Sequence, residues 1–124
     1  MPTKAATRRK TPRHAVVLDE GAFVEFSHPT SGINCRLPLS DISHSGLSFH
    51  GEVGEMPAVE SGATISEARL RIRECIIKGD LVVMHVTQRP DSRILCGALL
   101  YPATDHDLLK LKAVLAGMEA VQHP

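Results

Sequence analysis

Aromatic side chains are scarce in this sequence, which has no tryptophan, one tyrosine and three phenylalanines among its 124 residues. Proteins that bind single-stranded nucleic acid without sequence preference stack successive bases on aromatic side chains. The composition therefore argues against a nucleic-acid-binding barrel. A basic segment at the N-terminus keeps that alternative open.

Long apolar runs are also missing, and none approaches the ~20 residues that a membrane-spanning helix needs. The basic N-terminal residues are not followed by an apolar stretch, so we expect neither a secretory signal nor membrane insertion. Three cysteines, Cys35, Cys75 and Cys96, are odd in number and have no C-x-x-C spacing. This pattern predicts free thiols in a cytoplasmic protein and no metal site.

No known catalytic motif occurs in the chain. It lacks the G-x-S-x-G elbow, the Walker phosphate loop, the H-E-x-x-H zinc motif and the dinucleotide G-x-G-x-x-G motif. Ser48 and His50 lie two residues apart, but no acidic residue is placed to orient the histidine as a general base. We therefore predict a binding protein without a cofactor, and not an enzyme.

Charge is distributed unevenly although the formal net charge is zero. Residues 1–14 contain no acidic residue, and the remaining 110 residues carry nine basic against 14 acidic side chains, a formal charge of −5. A basic segment on an acidic body indicates an anionic partner that is bound locally. The basic residues of this segment are Lys4, Arg8, Arg9, Lys10 and Arg13.

The hydrophobic pattern divides the chain into a flexible basic arm, residues 1–13, and a barrel, residues 14–124. The arm is polar and contains two prolines, which is typical of a segment without packed structure. After it, short runs of alternating apolar and polar residues are separated by turn residues, as in Ala68, Leu70 and Ile72. This order predicts about six strands, and thus an all-β fold with a six-stranded antiparallel barrel.

A helix is predicted at the C-terminal end, over about residues 105–121. Thr104 supplies a capping hydroxyl, and acidic residues follow in the first turn. Four apolar residues then recur at helical spacing. They are Leu108, Leu111, Leu115 and Met118.

The segment Asp41-x-Ser43-x-x-Gly46 combines a carboxylate, a hydroxyl and a glycine in a predicted turn. On extended backbone, residues two apart point to the same side, so we expect Asp41 and Ser43 to lie side by side. Gly46 is expected to supply a positive φ angle. Asp41 would continue the apolar face of the preceding strand if the register held, so the chain must change course at about that point.

Arg9 and Arg13 complement this turn chemically. Guanidinium groups form paired hydrogen bonds with phosphate and with the O6/N7 edge of guanine. The carboxylate of Asp41 is suited to accept hydrogen bonds from N1–H and N2–H₂ of guanine, a pair of donors that only guanine offers among the common bases. The two segments together predict a site for guanine and phosphate.

The pair Arg9-x-x-x-Arg13 and Asp41-x-Ser43-x-x-Gly46, on an all-β pattern, resembles the signature of PilZ domains, bacterial receptors for cyclic di-GMP. The resemblance implies that Arg9 and Arg13 contact phosphate and the guanine edge. It implies guanine and backbone contacts for Asp41 and Ser43, and a turn-forming role for Gly46. An arginine before the first motif is common in the family. The implied ligand-binding residues are Arg8, Arg9, Arg13, Asp41, Ser43 and Gly46.

The function implied by the resemblance is that of a cyclic di-GMP receptor or adaptor. Ligand binding would order the N-terminal arm and signal to an unidentified effector protein in the control of bacterial motility, biofilm formation or virulence. Whether the ligand binds as a monomer or as an intercalated dimer stays open. The alternatives are a PilZ-like interaction scaffold that does not respond to nucleotide and the nucleic-acid-binding barrel.

Overall fold

The computed structural model describes residues 14–15, 21–52 and 59–122. Within these residues the chain forms seven strands and one helix, α1. They are β1 (His14–Ala15), β2 (Phe23–Ser27), β3 (Asn34–Ile42), β4 (Gly46–Glu52), β5 (Thr64–Ile72), β6 (Cys75–Gln88), β7 (Arg93–Pro102) and α1 (Asp105–Gln122).

The six longer strands close into an antiparallel barrel. They pair in the order β3-β2-β5-β6-β7-β4, and β4 pairs again with β3. The two-residue strand β1 adds to β3. The predicted fold, an all-β barrel of six strands with a C-terminal helix, is confirmed.

The barrel interior is filled by alternate side chains from every long strand. Ala68, Leu70 and Ile72 of β5 are buried as their alternation predicted. The rings of Phe26 and Phe49 meet across the interior, with centroids 5.8 Å apart and planes tilted by 58°. Because each strand gives one face to this interior, its other face is left for solvent or a ligand.

A β-bulge in β3 determines where Asp41 points. Leu39 pairs with Phe49 and Asp41 pairs with Ser48, so the register shifts by one residue between them. Leu39 and Ile42 are both fully buried, although an odd and an even position cannot share a face on a regular strand. The bulge therefore turns Asp41 to the outside of the barrel, and this register shift is the form taken by the change of course expected near Asp41.

Helix α1 is fastened to the barrel at its first turn. Thr104 caps the helix, because its Oγ1 accepts a hydrogen bond from the Asp107 amide at 3.1 Å. The Asp107 carboxylate accepts hydrogen bonds from the Thr104 hydroxyl at 2.7 Å and from the Lys78 amide of β6 at 2.9 Å. Three apolar side chains then extend the core into the helix. They are Leu111, Leu115 and Met118.

Within the described residues, no helix is both long and apolar enough to cross a membrane.

Candidate functional site

Strand β1 begins one residue after Arg13 and pairs with the strand that carries Asp41. His14 pairs with Ile42 and Ala15 pairs with Asp41. Arg13 directly precedes His14 in the sequence, so the chain that leaves the basic segment is tied to the backbone of the Asp41 segment. Arg8, Arg9 and Arg13 themselves lie outside the described residues.

Ser43 holds the turn between β3 and β4. Its amide donates to the Gly46 carbonyl at 2.8 Å, and its Oγ lies within 3.3–3.4 Å of the Gly46 and Ser45 amides. The side chain is buried, with 1% of its surface exposed. The side-by-side presentation of Asp41 and Ser43 expected from their spacing is not found, because β3 ends at Ile42 and Ser43 turns inward.

Gly46 does not have the positive φ angle that the sequence analysis expected. Among the described residues, the glycines with positive φ are Gly21, Gly32 and Gly62. A Cβ atom at Gly46 would overlap the carbonyl oxygen of Ala98 on β7. Glycine is required here because two backbones approach closely, and not because the turn needs left-handed backbone.

A cleft of about 310 Å³ opens on the outer face of the barrel beside Asp41. Strands β3, β4 and β7 form its floor, and the turn between β6 and β7 forms one wall. Its lining residues are Ser40, Asp41, Ser48, His50, Arg89, Asp91, Arg93, Ile94 and Leu95. Of the three motif residues that the structure describes, only Asp41 lines this cleft, while Ser43 and Gly46 build the turn behind it.

His50 lines the cleft and is hydrogen-bonded to Ser40, with 2.6 Å between Nδ1 and Oγ. Burial lowers the pKa of His50, and the positive charges of Arg93 and Arg89 lower it further. The imidazole is therefore neutral at pH 7, where it can both donate and accept a hydrogen bond.

Ser40, Arg89 and Arg93 were not predicted from the sequence as site residues. These residues come from segments about 50 positions apart, and only barrel closure brings them to one cleft. The available signal was a pair of arginines flanking the turn that starts after β6. Ser48 and His50 had been considered as a catalytic pair, but the serine bonded to His50 is Ser40.

Within the described residues, no group of three or more histidine, cysteine, aspartate or glutamate side chains is arranged to hold a metal ion.

No family model matches the chain, and no curated protein matches its sequence. Solved structures match it by fold. The PilZ domain of YcgR from Escherichia coli, in complex with cyclic di-GMP, is 12% identical and superimposes with a TM-score of 0.75 over 93% of this chain and 94% of that one. This chain has the PilZ fold.

Two further structures with this fold are longer proteins. The MrkH–cyclic di-GMP complex of K. pneumonia matches at a TM-score of 0.80 and 20% identity, over 91% of this chain and 52% of MrkH. The inhibitor of motility MotI/DgrA of Bacillus subtilis matches at a TM-score of 0.69 and 18% identity, over 91% of this chain and 52% of MotI. The chain thus spans about half the length of MrkH and MotI. The resemblance to PilZ domains is confirmed at the level of the fold.

Proposed function

We propose that this protein is a receptor for cyclic di-GMP. The observation that carries the proposal is the pairing of β1 with β3, which ties the chain after Arg13 to the backbone of Asp41. Arg13 and Asp41 are about 28 residues apart in sequence, and the pairing of the residues that follow Arg13 with the Asp41 strand supports a shared site. A cleft lined by Asp41 lies on the outer face of that strand.

The proposed roles follow from the chemistry of each group. Asp41 accepts hydrogen bonds from N1–H and N2–H₂ of a guanine, and Arg9 and Arg13 bind phosphate and the O6/N7 edge, with Arg8 in support. Ser43 and Gly46 act indirectly, since the hydroxyl holds the turn and the glycine lets it approach β7. Guanine is distinguished from adenine because adenine has no N1–H donor.

We infer that ligand binding orders the arm, residues 1–13, against the barrel, and that an effector protein recognises the ordered arm. Fixing backbone costs roughly 1–2 kcal/mol per residue. Several hydrogen bonds to charged groups, each contributing about 1.5–3 kcal/mol, are sufficient to offset that cost. A receptor of this kind acts in the cytoplasm, where its three cysteines stay as thiols.

The test is calorimetric titration of the purified protein with cyclic di-GMP. GTP and cyclic di-AMP are the controls, because the first has guanine without the cyclic diester and the second has the diester without guanine. Saturable binding of cyclic di-GMP alone is expected. No binding by protein that is demonstrably folded would reject the receptor function and favour the interaction scaffold.

Single substitutions test the residues. Asp41→Ala is expected to weaken binding about 100-fold, because it removes two hydrogen bonds to a charged acceptor. Arg9→Ala and Arg13→Ala should have effects of similar size. Asp105→Ala, which removes an exposed acid from the helix, is the matched control and should bind normally. Normal binding by any of the three site variants would refute the role of that residue.

A further inference from the structure

The turn between β6 and β7 carries two arginines on a rigid backbone. The Arg89 amide donates to the Arg93 carbonyl at 2.7 Å, and the Ser92 amide donates to the Arg89 carbonyl at 3.2 Å. Asp91 closes the turn by accepting a hydrogen bond from the Arg93 amide at 3.3 Å. Pro90 restricts the backbone further. The turn therefore holds both arginines at one wall of the cleft.

The cleft has opposite charges at its two sides. Asp41 of β3 pairs with Ser48 of β4, and Arg93 of β7 pairs with Glu52 of β4, so His50 lies between these two positions along β4. Arg89 lines the same cleft from the β6–β7 turn. Both arginines act electrostatically on His50, so their positive field reaches the centre of the cleft. A ligand that combines hydrogen-bond donors with an anion, such as a guanine nucleotide, matches this arrangement.

Asp91 forms an ion pair with Arg93, and a second carboxylate, Glu52, lies on the neighbouring strand. Asp91 Oδ2 lies 3.8 Å from Arg93 Nε, and more than half of each side chain is exposed. Glu52 stands opposite Arg93 in the β4–β7 register. Exposed ion pairs at such distances contribute little to stability, because water and salt screen them. A phosphate that binds the guanidinium through paired hydrogen bonds is the stronger partner.

We propose that Arg89 and Arg93 bind a phosphate of the cyclic dinucleotide whose guanine is held at Asp41. The ligand then contacts Asp41 of β3 and the two arginines of the β6–β7 turn. This inference rests on the proposed function and adds to it a second anion-binding wall, built from residues outside both sequence motifs.

The test compares the affinity of full-length variants for cyclic di-GMP by calorimetry. Arg89→Ala and Arg93→Ala are each expected to weaken binding about tenfold, the loss of roughly one charge-assisted hydrogen bond. Arg93→Lys should fall between wild type and Arg93→Ala, because it keeps the charge and loses the paired geometry. Arg69→Ala, an exposed arginine of β5 outside the cleft, is the matched control and should change affinity less than twofold.

Asp91→Asn provides a test in the opposite direction. Removing the competing carboxylate should strengthen binding about two- to fivefold, since screened surface charges interact weakly. Arg93→Ala should also reduce the salt dependence of binding, because one cation fewer contacts the phosphate. Melting temperatures near that of the wild type verify that each variant is folded.

The outcomes separate the two proposals. If wild type binds cyclic di-GMP and both arginine-to-alanine variants bind equally well, the second wall is refuted and the receptor function stands. If Arg69→Ala weakens binding as much as they do, the effect is one of overall charge and the inference is again refuted. If folded wild type does not bind, both proposals fail.

Discussion

Replacing Asp107 by alanine should detach the first turn of α1 from the barrel. The carboxylate is buried, with 5% of its surface exposed, and it accepts hydrogen bonds from the Thr104 hydroxyl and the Lys78 amide. Hydrogen bonds to a charged group contribute about 1.5–3 kcal/mol each, and part of this is recovered when water enters the site. We expect Asp107→Ala to lower the free energy of unfolding by about 2–4 kcal/mol.

Thermal and urea unfolding, followed by circular dichroism, measure this loss. For a domain of this size, 1 kcal/mol corresponds to about 4 °C in melting temperature, so a decrease of about 8–16 °C is expected. Asp105→Ala is the matched control, because Asp105 is an exposed acid in the same helical turn. It interacts mainly with the helix dipole and should cost about 0.3–1 kcal/mol.

The same carboxylate predicts a dependence on pH. The Lys78 amide, followed by the Thr104 hydroxyl, lowers the pKa of Asp107 below its ordinary value. A group with a lowered folded-state pKa stabilises the protein above its unfolded pKa, and that contribution is lost as the pH falls through the folded value. The stability difference between wild type and Asp107→Asn should therefore be constant near neutral pH and shrink below about pH 4.

Equal losses for Asp105→Ala and Asp107→Ala would refute this reasoning. They would indicate that the helix is held by its apolar face and its dipole, and that the hydrogen bonds from β6 and the capping residue contribute nothing measurable. A stability difference that does not change with acid would equally contradict the lowered pKa of Asp107.

Two further predictions concern the close packing of strands in the barrel and the reactivity of its thiols. Gly46→Ala should destabilise the protein by about 2–3 kcal/mol in urea unfolding, because the new Cβ meets a backbone carbonyl of β7 that cannot move aside. At Gly97 the atoms nearest to a new Cβ belong to the ring of His85, an exposed side chain that can rotate away, so Gly97→Ala should cost less than about 1 kcal/mol. Equal costs for the two variants would contradict this argument. Among the thiols, the partly exposed Cys75 should be alkylated first at pH 8. Burial raises the pKa of Cys96 to about 11 and protects this thiol from alkylation. Mass spectrometry of peptides identifies the modified cysteine, and modification of Cys96 before Cys75 would refute this prediction.

The sequence alone determined the strands, the helix and the two motifs. These depend on chemistry within a few residues: the alternation of Ala68, Leu70 and Ile72 selects the inward face of a strand, and Thr104 caps the helix that follows it. A change in the course of the chain near Asp41 was also predictable, because an acidic residue at an apolar position conflicts with a continuous strand.

Only the tertiary structure decided how these parts form a site. Closure of the barrel brings Arg89 and Arg93 opposite Asp41, and no local pattern encodes a contact between residues about 50 positions apart. The tertiary structure also explains why residue 46 must be glycine, since the carbonyl that excludes a side chain there belongs to β7, a strand distant in sequence. Local sequence specifies backbone preference, whereas the neighbours across strands are determined by the closure of the whole sheet.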